Sequence, residues 1–364
     1  MFNPGKRFKW IVALAMLVAI AVMGCAVTDE QPAFKNAEAH SPSSDSGALW
    51  EWLTTDPQHP EPSQPIPLRK ISEEELSNTT ESVVYRLGHS TVLIRTDGQY
   101  VLTDPMFSER ASPVQWIGPK RFHKPALTID ELPPIKAVII SHDHYDHLDK
   151  DSIQALSDRV EFFLTPLRVG QYLRDWGVSD NKIIELNWWQ QKKIGSLTFT
   201  ATPSQHFSGR GLFDRNKTLW ASWVIHSPQS NIFFSGDTGY FIGFKEIGRR
   251  LGPFDITLME NGAYNAAWSD IHMMPEETVR AHQDLGGNAM VTIHNSTFNL
   301  ALHDWFEPLE RVQQLSDQQG VNLLTPLFGE VVSVKTPIPT LAWWRPYLPA
   351  VAAVTTGEET SPTL

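Results

Sequence analysis

Ala137-Val138-Ile139-Ile140-Ser141-His142-Asp143-His144-Tyr145-Asp146-His147-Leu148-Asp149 runs from four apolar residues straight into three histidines and three aspartates. The apolar run is short enough to be a buried strand, and Lys150-Asp151-Ser152-Ile153-Gln154-Ala155-Leu156 reads as a helix. The histidines therefore fall on the tight loop between strand and helix. Imidazoles and carboxylates packed this densely have no place in an apolar core, where each needs its own polar partner. A metal ion supplies that partner.

The spacing H-x-H-x-D-H allows two ions. His142 and His144 turn toward one cation, while Asp146 and His147, one step further round the turn, face a second. Imidazole and carboxylate donors without thiolate suit zinc, with iron(II) and manganese(II) as alternatives, better than calcium or magnesium.

Further ligands are sought where other β-rich runs end. His206 follows Thr198–Thr202, Asp237 lies in the glycine-flanked turn Ser235-Gly236-Asp237-Thr238-Gly239, and His294 follows Ala289–Ile293. Each alone is an ordinary loop residue. Taken with the first motif they complete two sites: His142, His144 and His206 on one cation, Asp146, His147 and His294 on the other, and Asp237 bridging.

The rest of the chain provides a scaffold of the right kind. With 364 residues, 41% hydrophobic and 20% charged, it is long enough for a full core. A net charge of −11 argues against nucleic acid as a partner. Val83–Leu87, Thr91–Arg95 and Tyr100–Thr103 form an antiparallel opening, the last two runs joined through Asp97-Gly98. After it, strands and helices take turns. Strands are expected at 137–140, 160–164, 194–201, 220–226, 231–235, 256–259, 289–292 and 329–334, and helices near 151–156, 166–176, 244–251, 275–285 and 305–317. This order predicts stacked layers with sheets inside and helices outside.

The N-terminus reads as a targeting segment. Lys6, Arg7 and Lys9 precede an apolar stretch from Trp10 to Ala21, too short for a confident membrane span, and then Val22-Met23-Gly24-Cys25. This resembles a bacterial lipobox, with Cys25, the single cysteine, as the lipidated mature N-terminus. The resemblance implies a lipoprotein signal peptide over 1–24 and, because Ala26 comes next, an outer-membrane lipoprotein facing the periplasm. Periplasmic and inner-membrane placement are the alternatives. Residues 25–80, rich in Ser, Pro and acidic side chains, read as a tether or loosely packed arm. Within it, Trp50, Trp52 and Leu53 are candidates to dock on the body, and Ser72–Leu76 to form a short helix. The catalytic body is expected over 81–335 and a C-terminal tail over 336–364.

The order H-x-H-x-D-H, His, Asp, His along alternating strands resembles the metallo-β-lactamase superfamily. That resemblance implies an α/β (α+β) fold, a four-layer αββα sandwich with a dinuclear site on one edge. Leu87-Gly88-His89-Ser90-Thr91, the segment from Thr103-Asp104-Pro105 to Gly118-Pro119-Lys120-Arg121-Phe122, Gly236–Tyr240 and His272-Met273-Met274-Pro275-Glu276-Glu277 are similar to the branch that hydrolyses N-acyl-phosphatidylethanolamine as a phospholipase D. The likeness spans Ser82 to Val334. It departs at His294-Asn295-Ser296-Thr297-Phe298, where family members commonly have His-Trp-Gly-Thr-Phe, so the pocket wall beside His294 is expected to differ.

The activity implied is that of a metal-dependent phosphodiesterase in which hydroxide held by two cations attacks phosphorus, with Asp146 and Asp237 as catalytic ligands. A lactonase, a β-lactamase or another ester hydrolase on the same fold is the alternative, and an apolar pocket mouth would favour the lipid substrate. His89 and Asp104 are candidates to hold ligand imidazoles from behind, or else plain strand-end residues. His272 either caps a helix or lines the pocket. Tyr145 is a pocket candidate, as is His303, whereas Tyr240 reads as packing. A phospholipid or other small-molecule substrate, a membrane reached through the lipid anchor and a homodimer are the partners implied.

Overall fold

The structure is a computed structural model that describes residues 32–38, 51 and 54–349. The expected signal peptide, Cys25, Trp50, Trp52, Leu53 and the last fifteen residues of the tail lie outside those described.

A short helix, α1 (Glu73–Asn78), precedes the body, and the Ser72 hydroxyl caps it by accepting from the Glu75 N–H. Then β1 (Val83–Gly88), β2 (Thr91–Thr96) and β3 (Gln99–Thr103) form an antiparallel meander. β4 (Ile135–Ile139), β5 (Val160–Pro166) and β6 (Ile183–Leu186) extend it in parallel, with α2 (Lys150–Leu156) and α3 (Gly170–Asp175) as crossovers. The second half repeats the plan. β7 (Gln191–Ile194), β8 (Leu197–Thr202), β9 (Ser222–His226) and β10 (Asn231–Phe234) are antiparallel. α4 (Gly243–Leu251), β11 (Phe254–Glu260), α5 (Pro275–Leu285), β12 (Gly287–Ile293), α6 (Glu307–Gln319) and β13 (Leu323–Leu324) come after, the strands parallel from β10 onward. β14 (Val331–Ser333) returns to pair with β1. Two seven-stranded sheets result, ordered β14-β1-β2-β3-β4-β5-β6 and β13-β12-β11-β10-β9-β8-β7.

The alternation of side chains along a strand explains the contiguous apolar runs. In β4, Ala137 and Ile139 face the core between the sheets, where Val92, Phe199, Trp223, Phe234 and Leu258 also lie. Val138 and Ile140 face the other way, onto Ile153 and Leu156 of α2 and Leu173 of α3. The second sheet does likewise: Ile232 and Phe234 point inward while Phe233 meets Phe244 of α4 and Val279 of α5. Each fully buried Ile, Leu, Val or Phe contributes about 1.5–3 kcal/mol through removal from water. This is the αββα sandwich.

Several expected boundaries are corrected. The helix placed at 166–176 begins at Gly170, because Pro166 closes β5 and pairs with Leu186. The strand placed at 194–201 is a hairpin turning at Gly195, whose φ of +61° favours a glycine. β6 and β13 were not anticipated. Ile66, Ile71 and Leu76 are buried, and Arg69 donates its N–H to the Phe328 carbonyl, so the stretch before Ser82 packs on the sandwich. Beyond residue 335, Trp343 and Trp344 are buried with Trp305 and Phe328. Among the described residues no helix is long and apolar enough to cross a membrane.

Candidate metal centre

The ends of β4, β8, β10, β11 and β12 meet along one edge of the sandwich, and each delivers polar side chains there. The loop after β4 turns at once because Ser141 is held by Asp104, which accepts from the Ser141 N–H at 2.7 Å and its hydroxyl at 2.6 Å. Gly236, with φ +57°, passes so close to Ser141 that a side chain there would collide with it. This close approach sets Asp237 against the histidine loop.

The residues singled out as ligands fall into two adjoining groups. His142 Nε2 lies 2.8 Å from His144 Nδ1, and His206 Nε2 lies 3.3 Å from the same nitrogen. In the second group Asp146 Oδ2 is 3.3 Å from His147 Nε2 and 3.2 Å from His294 Nε2. Asp237 Oδ2 stands between them, 3.1 Å from His147 Nε2, 3.0 Å from His294 Nε2, 3.8 Å from His142 Nε2 and 4.0 Å from His206 Nε2. Apart from the slightly more open His144 and Asp146, all are buried.

Hydrogen bonds behind the rings settle which nitrogen looks inward. His147 Nδ1 donates to Asp104 Oδ2 at 2.7 Å, His206 Nδ1 to the Ile271 carbonyl at 2.9 Å, and His142 Nδ1 to the Ser141 hydroxyl at 2.9 Å. Each bond turns Nε2 toward the centre.

The donor set fits cations. Ring nitrogens facing one another at 2.8 and 3.3 Å repel through their lone pairs unless a proton or an ion sits between them. A tetrahedral zinc, with Zn–N of about 2.0–2.1 Å, holds its nitrogens roughly 3.3 Å apart. His147 Nε2 and one Asp237 carboxylate oxygen are buried without a hydrogen bond. The electrostatics agree. Burial, then the neighbouring imidazoles, hold His142 and His206 well below the usual histidine range. Burial would raise the carboxyls of Asp146 and Asp237, but the histidines outweigh it and keep both well below the usual range. Burial opposes a proton on His294, yet Asp237 and Asp146 draw it up to about 10. Two buried carboxylates thus demand positive charge among them, and a cation displaces the protons that otherwise provide it.

The remaining expected residues divide. Asp104 buttresses His147. His89 Nε2 reaches Asp146 Oδ2 at 3.0 Å, close enough to join the second group. His272 stacks on His294 and its Nδ1 contacts Glu260, so it faces the site although it also precedes α5. Tyr145 donates to the Arg210 carbonyl at 2.8 Å and lines a neighbouring groove. Tyr240 turns away to Asp284 and Phe244. His303 stacks on Tyr264 and, with His294, lines a small cavity.

The altered segment after His294 has its own logic. Asn295 accepts from the buried Arg86 guanidinium at 2.9 Å, and its carbonyl accepts a second bond at 2.5 Å. Ser296 adopts φ +59°, the conformation that favours the glycine of the family pattern.

Three residues were not anticipated. Glu260 ends β11 fully buried, accepts from the Thr238 N–H at 2.7 Å and belongs to a group with Asp237, His272 and His294; burial, then the Asp237 charge, push its carboxyl well up. Arg210 donates to the carbonyls of Asp143 and Leu148 and lies 4.0 Å from the Tyr145 ring centre, bracing the ligand loop. Asn36 bonds the backbone of His206.

A sequence profile of the beta-lactamase superfamily domain matches residues 99–295. The chain is 31% identical over 266 residues to the N-acyl-phosphatidylethanolamine-hydrolyzing phospholipase D 1 of Caenorhabditis elegans, covering 69% of this chain and 74% of that one. It is 51% identical over 98 residues to outer membrane protein RomA of Klebsiella pneumoniae, covering 27% of this chain and 74% of that one. The crystal structure of an isothiocyanate hydrolase from Delia radicum gut bacteria shares the fold, with a TM-score of 0.55 at 21% identity over 69% of this chain and 98% of that chain.

Proposed function

The chain belongs to the metallo-β-lactamase superfamily, and from that premise we propose that it is a two-cation phosphodiesterase cleaving phospholipids of the N-acyl-phosphatidylethanolamine type. It is a metallo-hydrolase by family, with a His/Asp cluster able to hold metal ions. His142, His144 and His206 would hold one ion, Asp146, His147 and His294 the other, and Asp237 would touch both. Zinc suits these donors best, and iron(II) or manganese(II) are compatible. When bound, two such ions lower the pKa of water and stabilise charge on a phosphoryl group under in-line attack.

The protein's own part is positioning. Asp104, Ser141 and the Ile271 carbonyl fix the imidazoles so that little reorganisation is needed. Arg210 ties the ligand loop to the segment after His206, and Asp143 takes N–H and hydroxyl donors from Gly209 and Thr218 on that same segment.

One observation favours a lipid over a small polar ester. Next to the ligand loop, a groove of about 640 Å³ is lined by Trp116 and Arg210 from two loops, by Tyr145, Tyr172 and Trp176, and by the charged Asp149 and Lys150. Trp116 is 78% exposed, Phe213 66% and Leu212 57%, with Ile117 also open. Trp116 lines this groove, and Leu212 and Phe213 lie in the Gly211–Asp214 loop that borders it; large exposed apolar side chains on these two loops fit a lipid surface better than a closed polar cavity. The similarity to the phospholipase D relative supports the same reading, and that to RomA, with the lipobox-like segment at Cys25, supports placement in the cell envelope. A turnover panel of N-acyl-phosphatidylethanolamine, a generic phosphodiester, a lactone and a β-lactam, run with metal analysis of the protein, tests it: preference for a lactone or β-lactam replaces the phosphodiesterase reading.

A further inference from the structure

The stretch 32–38 has the composition of a tether, yet it is pinned to the body along its length and, at His206, to the metal centre. Arg168 donates to the Pro32 carbonyl at 2.9 Å and lies 4.5 Å from the Phe34 ring centre. Phe34 N–H donates to the Asn216 carbonyl at 2.8 Å. Glu38 accepts from the Gln205 amide through its carbonyl at 3.1 Å and from the Ile242 N–H through its carboxylate at 2.9 Å.

Between these pins lies Asn36. Its Nδ2 donates to the His206 carbonyl at 2.8 Å, and its Oδ1 accepts from the His206 N–H at 3.0 Å and from the Trp220 indole N–H at 2.9 Å. One amide thus grips a single residue's backbone at both of its polar groups, fixing the peptide planes on either side and hence the direction of its Cα–Cβ bond. With His206 Nδ1 held by the Ile271 carbonyl, backbone and ring are both locked. Among the described residues no other ligand of the first group is held by the N-terminal segment.

We infer that Asn36 is a positioning residue for the metal ion bound by His142, His144 and His206, and that the N-terminal arm is thereby part of the metal centre. The inference rests on the two-cation reading above. Partners behind a ligand typically change metal affinity 10–100-fold when lost, and here the loss falls on one site only, because the second group draws its support from Asp104 and from β12.

Stepwise cobalt(II) titration of the chelator-stripped full chain, followed by visible absorption, tests this. Wild type is expected to take up two equivalents. Asn36→Ala is expected to bind one with unchanged affinity and the second 10–100-fold more weakly. Asn36→Asp, which sets a carboxylate oxygen against the His206 carbonyl, is expected to behave like Asn36→Ala, and Lys35→Ala, on the exposed side of the arm, like wild type. Two unchanged affinities in Asn36→Ala, or an equal loss at both sites with a lowered melting temperature, overturn the inference. Fewer than two equivalents in wild type overturn the two-cation reading itself, and this inference with it.

Discussion

Asp104 Oδ2 lies 2.7 Å from His147 Nδ1, with both side chains wholly buried. Burial pushes the Asp104 carboxyl up, and its bonds from His147 and Ser141 oppose that. Asp104 also adopts an unusual φ of +34° to reach this position, so the fold spends backbone strain on aiming one ring.

Asp104→Asn keeps the shape and removes the charge that favours the Nδ1–H form of His147. It is expected to weaken metal binding 10–100-fold and to lower kcat more than KM. Competition with a coloured chelator gives the first quantity and steady-state kinetics the second. Unchanged metal affinity would return Asp104 to a merely structural role.

Asp237→Ala should cost more. Its Oδ2 lies within 4.0 Å of ring nitrogens from both groups, so its loss opens both at once, and turnover is expected to vanish with less than one metal ion retained per chain. His142→Ala is expected to abolish turnover while sparing metal in the second group. Elemental analysis of the purified variants separates the two patterns, and near-normal turnover in metal-depleted Asp237→Ala rules out a dinuclear centre.

The histidine loop was legible because its candidate ligands are contiguous: six residues from His142 to His147 carry four of the seven. The layers were legible because β4, β5 and β12 are runs of apolar residues that supply both faces. Glu260 escaped notice since it ends an apolar strand like any cap residue, and its meaning comes only from β10 and β12 lying alongside. Asn36 is 170 positions from His206, within a polar stretch whose composition resembles a linker. The short edge strands β6 and β13 hold too few residues for an alternating pattern to show.

Acid stability gives a test away from the metals. His282 is buried on α5 against the Thr257 hydroxyl at 2.8 Å, and burial lowers it to about 4. Because its folded pKa lies below the unfolded value of about 6.5, the unfolded chain binds the extra proton between these limits, and stability falls as pH drops from 6.5 to 4. The stability advantage of wild type over His282→Gln should therefore shrink across that window, by a total on the order of 3 kcal/mol. Denaturant melts of both proteins at pH 7, 5.5 and 4 check it; a constant difference contradicts it.

The exposed loops make a prediction about surfaces. Trp116→Ser and Phe213→Ser remove side chains of the size that gains about 1.5–3 kcal/mol when fully buried. Each is expected to weaken sedimentation with phospholipid vesicles by roughly tenfold or more, while turnover of a small soluble phosphodiester stays within about twofold. Equal loss on both substrates would mean that the loops shape the site and do not meet a lipid surface.

The phosphodiesterase assignment itself is tested by where solvent oxygen goes. Attack at phosphorus on N-acyl-phosphatidylethanolamine breaks the bond to the head group and releases N-acylethanolamine, leaving the new oxygen on phosphatidic acid. Hydrolysis in oxygen-18 water with mass analysis of the products is therefore expected to show the label in the phosphatidic acid alone. Label in a free fatty acid, or an untouched phospholipid beside a hydrolysed lactone or β-lactam, contradicts the assignment while leaving the metal centre in place.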